Sequence, residues 1–320
     1  MNLQQKTRRF GAWLIFCSLL LRLHATGVMD NLAAFLSKPN IASVLIYLET
    51  GRHVRFSFPP DTHAVESAAP WSVPETLPAF APEQAADLQL HNLCDLSPDL
   101  EALLQQPLQW YLTLPEPTVL ILHAHATEGY SDTGSSGYRS REEEENMISI
   151  GDHVAQVLAR HGITAIHDRT LHDHPDYNAS YGSARASAQS LLAQYPSIQL
   201  ILDLHRDALE QDGKQLAVTA TAGEKSCAQL MLVMGTNAGG LAHANWQQNL
   251  SLGLKLQTQL EQLWPGITRP MQLRTQRFNQ DLLPGALLVE VGAAGNSHRE
   301  ALLAAEQLAH AIVALAKGTQ

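Results

Sequence analysis

The 320-residue chain has few cysteines and fewer basic than acidic residues. Its 3 cysteines include no CxxC pair, which excludes a structural zinc site built from thiolates. The 21 lysines and arginines stand against 31 acidic residues, giving a formal charge of -10. A nucleic-acid-binding protein needs a basic face that displaces counterions from phosphates, so this balance argues against that class of function.

The N-terminal apolar run is short for a membrane span. It extends from Phe10 to Leu21, behind several basic residues, whereas a spanning helix needs about 20 apolar residues. A basic segment followed by a short apolar run is typical of an export signal. Because no small-residue cleavage site is evident, we expect residues 1–27 to be a retained signal anchor that holds the protein to the outer side of the cell membrane.

Proline content sets the region after the anchor apart from the rest. Six prolines lie between Phe56 and Pro82, which forbids regular helix and is typical of an extended linker. We therefore assign residues 28–114 to an N-terminal region with a proline-rich linker, and residues 115–320 to a catalytic domain. A short helix is predicted from Pro98 to Gln106, with Ser97 as its N-cap.

From residue 117 onward, short apolar runs alternate with helical patterns. The predicted strands are Val119–Leu122, Ile163–Ile166, Ile198–Leu204, Gln215–Thr221, Met231–Met234 and Leu287–Glu290. The predicted helices are Met147–His161, Ala184–Tyr195, Ala244–Leu263 and Glu300–Lys317. This alternation predicts an α/β fold with a single mostly parallel sheet and helices on both faces.

Side chains that can bind a metal follow three of these apolar runs. The segment HAHATE, His123 to Glu128, follows the first, His205 ends the second, and Glu290 ends the third. In a mostly parallel sheet, the C-terminal strand ends line the crevice where ligands bind. We therefore expect these groups to meet at one edge of the sheet.

The segment from His125 to Glu128 has the H-x-x-E spacing of a zinc-binding pair. Imidazole nitrogen and carboxylate oxygen are both good zinc ligands, and His205 would complete the set with one position open for water. An open position is the mark of a catalytic site. Glu290 would then act beside that water as general base and later as general acid. The sequence therefore predicts a zinc-dependent hydrolase.

Two of these assignments have competitors. His123 lies two residues before His125, so in a continuous strand both would point the same way; we favour His125 because of the H-x-x-E spacing. Glu145, in the acidic run that precedes the Met147 helix, competes with Glu128 as a ligand. The other interpretation of that run is compensation of the helix dipole on a solvated face.

Other polar groups near the strand ends have more than one interpretation. Arg206 and Asp207 form an ion pair with each other, or Asp207 holds the ring of a ligating histidine. The cluster from His167 to His174 binds a second metal or, the alternative that we favour, contributes a polar loop to a substrate groove. The stretch from Gly235 to Gly240 lacks the lysine of a phosphate-binding loop, so we expect no phosphate site there.

In several long stretches the chain resembles the stage II sporulation protein P family of cell-wall amidases. They include VLILHAHATEGY from Val119, YPSIQLILDLHRDA from Tyr195, and RFNQDLLPGALLVEVGAAGN from Arg277. Further matching stretches begin at Gly151, His167 and Met234, and the N-terminal segment with LETGR at Leu48 is also similar. One departure is the HAHA sequence, where HTHT is more usual, and it does not alter the candidate ligands.

The resemblance implies a zinc-dependent N-acetylmuramoyl-L-alanine amidase, which cuts the bond between the glycan strand and the stem peptide of peptidoglycan. It also implies an endopeptidase activity, and a role in septal wall remodelling and engulfment during sporulation. The implied partners are a glycan-cleaving enzyme of the stage II sporulation protein D type and a membrane protein that recruits both. Within this scheme, Arg206 and Asn279 are candidates for contact with the substrate.

Two other functions fit parts of the same pattern. A peptidoglycan-binding protein without turnover would keep the fold, although the complete set of candidate ligands with a base argues against it. A zinc carboxypeptidase acting on stem peptides shares the H-x-x-E spacing and a catalytic glutamate.

Overall fold

The computed structural model describes residues 89–108, 110–134, 137–222 and 225–317. Its strands are β1 (Leu90–Asn92), β2 (Val119–Leu122), β3 (Ala165–His167), β4 (Leu200–Asp207), β5 (Glu210–Gln211), β6 (Lys214–Gln215), β7 (Thr219–Ala222), β8 (Lys225–Ala228), β9 (Leu230–Gly235), β10 (Met271–Arg274) and β11 (Ala286–Ala293). Its α-helices are α1 (Leu100–Gln105), α2 (Met147–Arg160), α3 (Ser180–Gln194), α4 (Trp246–Leu263) and α5 (His298–Lys317).

Seven strands form one sheet in the order β1-β10-β9-β11-β4-β2-β3. Neighbouring strands are parallel except for β9 and β11, which are antiparallel. The remaining strands form two small antiparallel hairpins, β5 with β6 and β7 with β8. The predicted α/β fold with a single mostly parallel sheet is confirmed.

The two faces of the sheet differ because alternate residues of each strand point to opposite sides. On one face, Val119 and Ile121 of β2 join the large core that also contains side chains of α1, α2, α4 and α5. On the other face, Leu120 and Leu122 pack in a smaller core with side chains of α3. The five α-helices of the described residues therefore cover both faces, four on one side and one on the other.

The face of the sheet that carries the smaller core changes from apolar to polar along β4. Ile201 of β4 packs against α3 in the smaller core. On the same side of the strand, Asp203 and His205 follow at intervals of two residues, and both are buried. A polar patch therefore lies at the C-terminal strand ends, on the same face as α3.

The segment before residue 115 contributes to this same sheet. β1 pairs in parallel with β10 at the sheet's edge. The buried Lys255 of α4 donates hydrogen bonds to the carbonyls of Leu103 (3.1 Å) and Leu104 (2.7 Å) in α1. A cation at the C-terminal end of a helix satisfies carbonyls that lack a partner within the helix.

Some element boundaries differ from the sequence predictions. The N-cap of α1 is Asp99, whose carboxylate accepts from the amide of Ala102, and not Ser97. α3 begins four residues before the predicted Ala184. The predicted strand Gln215–Thr221 is wrong, because Gln215 ends β6 of the first hairpin and Thr219 begins β7 of the second hairpin.

The predicted anchor at residues 1–27 and the linker as far as residue 88 lie outside the described residues. Within the residues that are described, no helix is both long enough and apolar enough to cross a membrane.

Asn296, fully buried before α5, ties together three parts of the chain. Its Oδ1 accepts from the amides of Ala293 (2.9 Å) and Val218 (3.1 Å), and its Nδ2 donates to the carbonyl of Val218 (3.1 Å) and to Glu300 (3.1 Å). Every donor and acceptor of the side chain is used.

We therefore expect Asn296→Ala to lower the free energy of unfolding by about 3 kcal/mol, because it leaves buried backbone groups without partners. Urea unfolding measures this change. The control is Asn237→Ala, since Asn237 is exposed and its replacement should leave the midpoint almost unchanged. Equal midpoints for the two variants would contradict the role assigned to Asn296.

Candidate active site at the C-terminal edge of the sheet

Three adjacent parallel strands bring the predicted site residues together. The sheet order places β4 between β11 and β2, and the register pairs Glu290 of β11 directly with His205 of β4. Leu122, the last residue of β2, pairs with Asp203. The segment from His123 to Glu128 therefore leaves the sheet next to the end of β4.

His205 is held between two carboxylates. Its Nε2 lies 2.9 Å from Oδ1 of Asp203, and its Nδ1 lies 3.5 Å from Oε2 of Glu128. Burial lowers the pKa of the imidazole, but Asp203 and Glu128 outweigh burial and hold the pKa well above its usual range. Asp203 thus orients the ring and leaves Nδ1 directed at Glu128.

Glu128 is a buried carboxylate surrounded by cationic groups. Its Oε2 accepts from the amide of Arg206 (3.2 Å), and its Oε1 lies 3.5 Å from the guanidinium of Arg139 and 3.7 Å from that of Arg206. Burial raises the pKa of Glu128, but the hydrogen bond from His205 and the nearby positive charges lower it to about 2. Glu128 is therefore an anion at neutral pH.

His125 lies beside His205, with the two ring centroids 5.3 Å apart. One face of its ring stacks on Tyr177 at 4.4 Å, and Tyr181 meets it edge-on at 5.5 Å. Burial lowers the pKa of His125. Its Nδ1 is buried and has no hydrogen-bond partner among the described residues.

The site contains a second buried polar atom without a hydrogen-bond partner among the described residues, and this atom belongs to Glu290. Its Oε2 makes no hydrogen bond within the described part of the chain. Burial raises the pKa of this carboxyl group to about 8, although the nearby His205 acts in the opposite direction. Burial thus disfavours the anion of Glu290, whereas the cationic groups around Glu128 favour the anion of Glu128.

His125, Glu128 and His205 are chemically suited to a metal ion, since they supply two imidazole nitrogens and one carboxylate oxygen. The partnerless Nδ1 of His125 supports this fit, because buried polar atoms in proteins are normally hydrogen-bonded. Asp203 would be the orienting carboxylate that ligating histidines commonly have. In the described residues, however, no group of three or more His, Cys, Asp or Glu side chains is arranged as a ready metal site.

His123 points away from this group. β2 ends at Leu122, so the expectation that His123 and His125 share a direction is wrong. His123 Nδ1 lies 2.9 Å from the carbonyl of Leu204, and its Nε2 lies 2.8 Å from His167. Because a carbonyl only accepts, Nδ1 must carry a proton, and both ring nitrogens are engaged.

Glu145, the alternative to Glu128, lies in a different turn. Its Oε2 accepts a hydrogen bond from Ser140 at 2.9 Å. The structure thus brings Glu128, and not Glu145, into contact with His205.

The cluster from His167 to His174 separates into three networks. His167 bonds to His123 and Asp152. His172 bonds to Asp168 (3.0 Å) and to Ser183 (2.8 Å). Asp173 accepts from Thr127 and Arg139. These side chains do not converge on one point, so the suggested second metal has no common site here.

The two candidate substrate contacts bond to protein groups. Arg206 is buried, and its guanidinium donates to the carbonyls of Gly129 (3.0 Å) and Tyr138 (2.9 Å). This assigns Arg206 to fixing the loop that carries Glu128. Asn279 donates to the carbonyl of Tyr181 at 2.8 Å, and the ring of Tyr181 lies beside those of His125 and His205.

Asp207 bonds to Arg269 at 2.8 Å, so the predicted Arg206–Asp207 pair is wrong. The carboxylate that orients His205 is Asp203, which the sequence analysis overlooked. Its signal was present, because a charged residue inside an apolar strand and two positions before His205 shares the histidine's face.

Arg139 and Tyr177 were also missed. Arg139 contacts Glu128, and its guanidinium carbon lies 4.8 Å from the ring centroid of Tyr177. Tyr177 lies in a short turn before α3. Neither belongs to a strand, and no spacing rule connects them with His205.

Comparison with known proteins gives matches of three kinds. The chain is 28% identical over 207 residues to stage II sporulation protein P of Bacillus subtilis, and the match covers 60% of this chain and 49% of that protein. The chain thus spans about half the length of this curated relative.

Among solved structures, the amidase AmiC2 of Nostoc punctiforme is 16% identical, with 63% of this chain and 94% of that chain covered and a TM-score of 0.35. The amidase Ami1 of Mycobacterium smegmatis is 13% identical, with 63% and 98% covered and a TM-score of 0.40. Both are N-acetylmuramoyl-L-alanine amidases.

The sequence model of stage II sporulation protein P matches residues 82–313. This range holds every residue of the candidate site, from His125 to Glu290, together with the strand β1 at the edge of the sheet. The chain belongs to the stage II sporulation protein P family.

Proposed function

We propose that this protein is a zinc-dependent peptidoglycan hydrolase that cleaves the amide bond between the N-acetylmuramoyl group and L-alanine. The observation that carries the proposal is the meeting of His125, Glu128, His205 and Glu290 at adjacent strand ends, where two buried polar atoms have no hydrogen-bond partner among the described residues. Membership of the stage II sporulation protein P family supports peptidoglycan as the substrate.

His125, Glu128 and His205 would hold the zinc ion. Zinc, when bound, supplies a Lewis acid that polarises the amide carbonyl and lowers the pKa of water. Asp203 keeps the proton of His205 on Nε2 and so leaves Nδ1 available as a ligand. Arg206 holds Glu128 in place through its backbone amide.

Glu290 is the proposed general base. Its register position opposite His205 places it next to the ligand set, and its Oε2 is not engaged with another described group. It would accept a proton from the attacking water and return that proton to the leaving amine. Removal of the metal with a chelator should abolish the reaction, and added zinc should restore it.

The wider setting is also a proposal. We propose that the protein acts outside the cell membrane in septal wall remodelling and engulfment, with an endopeptidase activity on cross-links. A stage II sporulation protein D-type enzyme and a membrane recruiter would be its partners. Family membership supports these assignments, and fractionation of sporulating cells with affinity capture tests them.

Digestion of purified peptidoglycan by the zinc-loaded full chain should release peptides that begin with a free L-alanine amine, with loss of the reaction after chelation. Mass spectrometry of the products identifies the bond that is cut. Release of a terminal amino acid with the lactyl amide intact would instead identify a carboxypeptidase. Binding of peptidoglycan without any release would identify a protein that has lost turnover.

Glu290→Gln should retain zinc and lose turnover about 10³-fold, because the amide cannot take the proton that a general base removes. Zinc content is measured by elemental analysis, and turnover by product release. Loss of zinc from this variant would make Glu290 a ligand, and undiminished turnover would remove it from the mechanism.

His205→Ala should lose both zinc and activity, because it removes one imidazole of the ligand set. The matched control is His91→Ala, since His91 is exposed on β1 at the far edge of the sheet and should retain both. Full zinc occupancy in the His205 variant would contradict the proposed ligand set.

A further inference from the structure

A cavity of about 410 Å³ lies beside the candidate site. Its lining includes Thr127, Arg139, Arg141, Glu142 and Asp173. Two of these residues connect it with the proposed ligands. Thr127 directly precedes Glu128 in the chain, and Arg139 approaches Oε1 of Glu128 to 3.5 Å. A substrate whose scissile bond lies at Glu128 therefore has this cavity within reach on one side.

The inner charges of the cavity are already paired. Asp173 accepts from the hydroxyl of Thr127 at 2.6 Å and from the guanidinium of Arg139 at 2.8 Å. The side chain of Asp173 is fully buried. Arg139 also lies against the ring of Tyr177. Arg139 and Asp173 thus form a structural pair in which each neutralises the other.

Arg141 is different. It is exposed, and it forms no ion pair or hydrogen bond through its side chain with any other residue that the structure describes. The turn that carries it is braced on both sides. Ser140 donates its amide to the carbonyl of Thr127 at 2.8 Å, and the Ser140 hydroxyl accepts from the amide of Glu142 at 3.1 Å. These hydrogen bonds hold the backbone on either side of Arg141 in place at the cavity.

The charge pattern narrows the class of ligand. A guanidinium recognises a carboxylate through paired hydrogen bonds. Glu142 lines the same cavity, and its negative charge disfavours a multiply charged anion such as phosphate. A neutral sugar ring offers no charge for Arg141 to bind. A singly charged carboxylate on a peptide therefore fits this wall best.

We propose that this cavity is a subsite for the stem peptide of peptidoglycan, in which Arg141 binds a free carboxylate of the peptide. The inference rests on the proposed function, because only a substrate with its amide at Glu128 has a peptide portion in reach. The carboxylate comes from the D-glutamyl residue or from the peptide's C-terminus. Both have the same chemistry at the guanidinium.

Calorimetric titration of the zinc-loaded full chain tests the subsite without any turnover. The probes are the tripeptide L-Ala-γ-D-Glu-L-Lys, the same peptide with D-isoglutamine in place of D-glutamate, and the same peptide with a C-terminal amide. Arg141→Gln should bind the first peptide about 10-fold more weakly than the unchanged chain does, as expected for about 1.4 kcal/mol from one charge-assisted contact.

The amidated peptide that has lost the recognised carboxylate should bind the unchanged chain about 10-fold more weakly, and Arg141→Gln should weaken its binding no further. Whichever of the two amidated peptides binds the unchanged chain more weakly identifies the carboxylate that Arg141 recognises. Arg160→Gln is the matched control, since Arg160 is exposed at the end of α2, and it should bind all three peptides like the unchanged chain. Equal binding of the first peptide by the Arg141 variant would overturn the subsite, as would equal binding of all three peptides by the unchanged chain.

Kinetics on intact peptidoglycan separate this inference from the proposed function. Arg141→Gln should raise KM about 10-fold and leave kcat unchanged, because the contact is the same in the ground state and the transition state. Cleavage of peptidoglycan with an unaltered KM in this variant would overturn the subsite and leave the hydrolase standing. Peptide binding that depends on Arg141, without cleavage by the unchanged chain, would retain the subsite and reject the hydrolase.

Discussion

The pairing of β4 with β11 is the constraint on which the candidate site depends. It sets Glu290 opposite His205 in parallel register. Side chains alternate between the faces of a strand, so a slip of one residue would move the whole set to the opposite face. Leu204 and Val289, one residue earlier on each strand, belong to the large core. The burial of these apolar side chains therefore fixes which way the two polar ones point.

On the face of the sheet that carries the smaller core, several carboxyl groups are buried close together. Glu128 and Asp203 lie on opposite sides of His205, and Glu290 is its neighbour on the next strand. Carboxylates brought together in a buried place disfavour one another's ionised form. Arg206 and Arg139 offset part of this at Glu128, while burial and, to a smaller extent, the charge of Glu128 raise the pKa of Glu290 to about 8. A divalent cation among these groups would relieve the same repulsion, which is a physical reason to expect one there.

The sequence predicted the strands of this site well because their apolar runs have no polar interruption on the core side. It predicted the meeting of His205, Glu290 and the HAHATE segment because parallel strands end at one edge. It could not predict the direction of His123, since that depends on where β2 ends and on the carbonyl of Leu204. β10 was missed because its short alternating sequence follows a proline and contains two polar residues in four. Contacts of Arg139 come from a turn that no periodicity describes.

Arg139 lines the neighbouring cavity and also contacts Glu128 of the proposed ligand set, so a change at Arg139 affects both. Its guanidinium bonds to Asp173 and Thr127 and approaches Glu128. Replacement of Arg139 would leave the buried Asp173 without its cation, which is costly wherever an ion pair loses one member. The resulting loss of stability would obscure any effect on the substrate. Arg141, on the braced turn two residues later, has no such structural partner among the described residues. Arg141 can therefore serve recognition alone, whereas Arg139 must also hold the loop that carries Glu128.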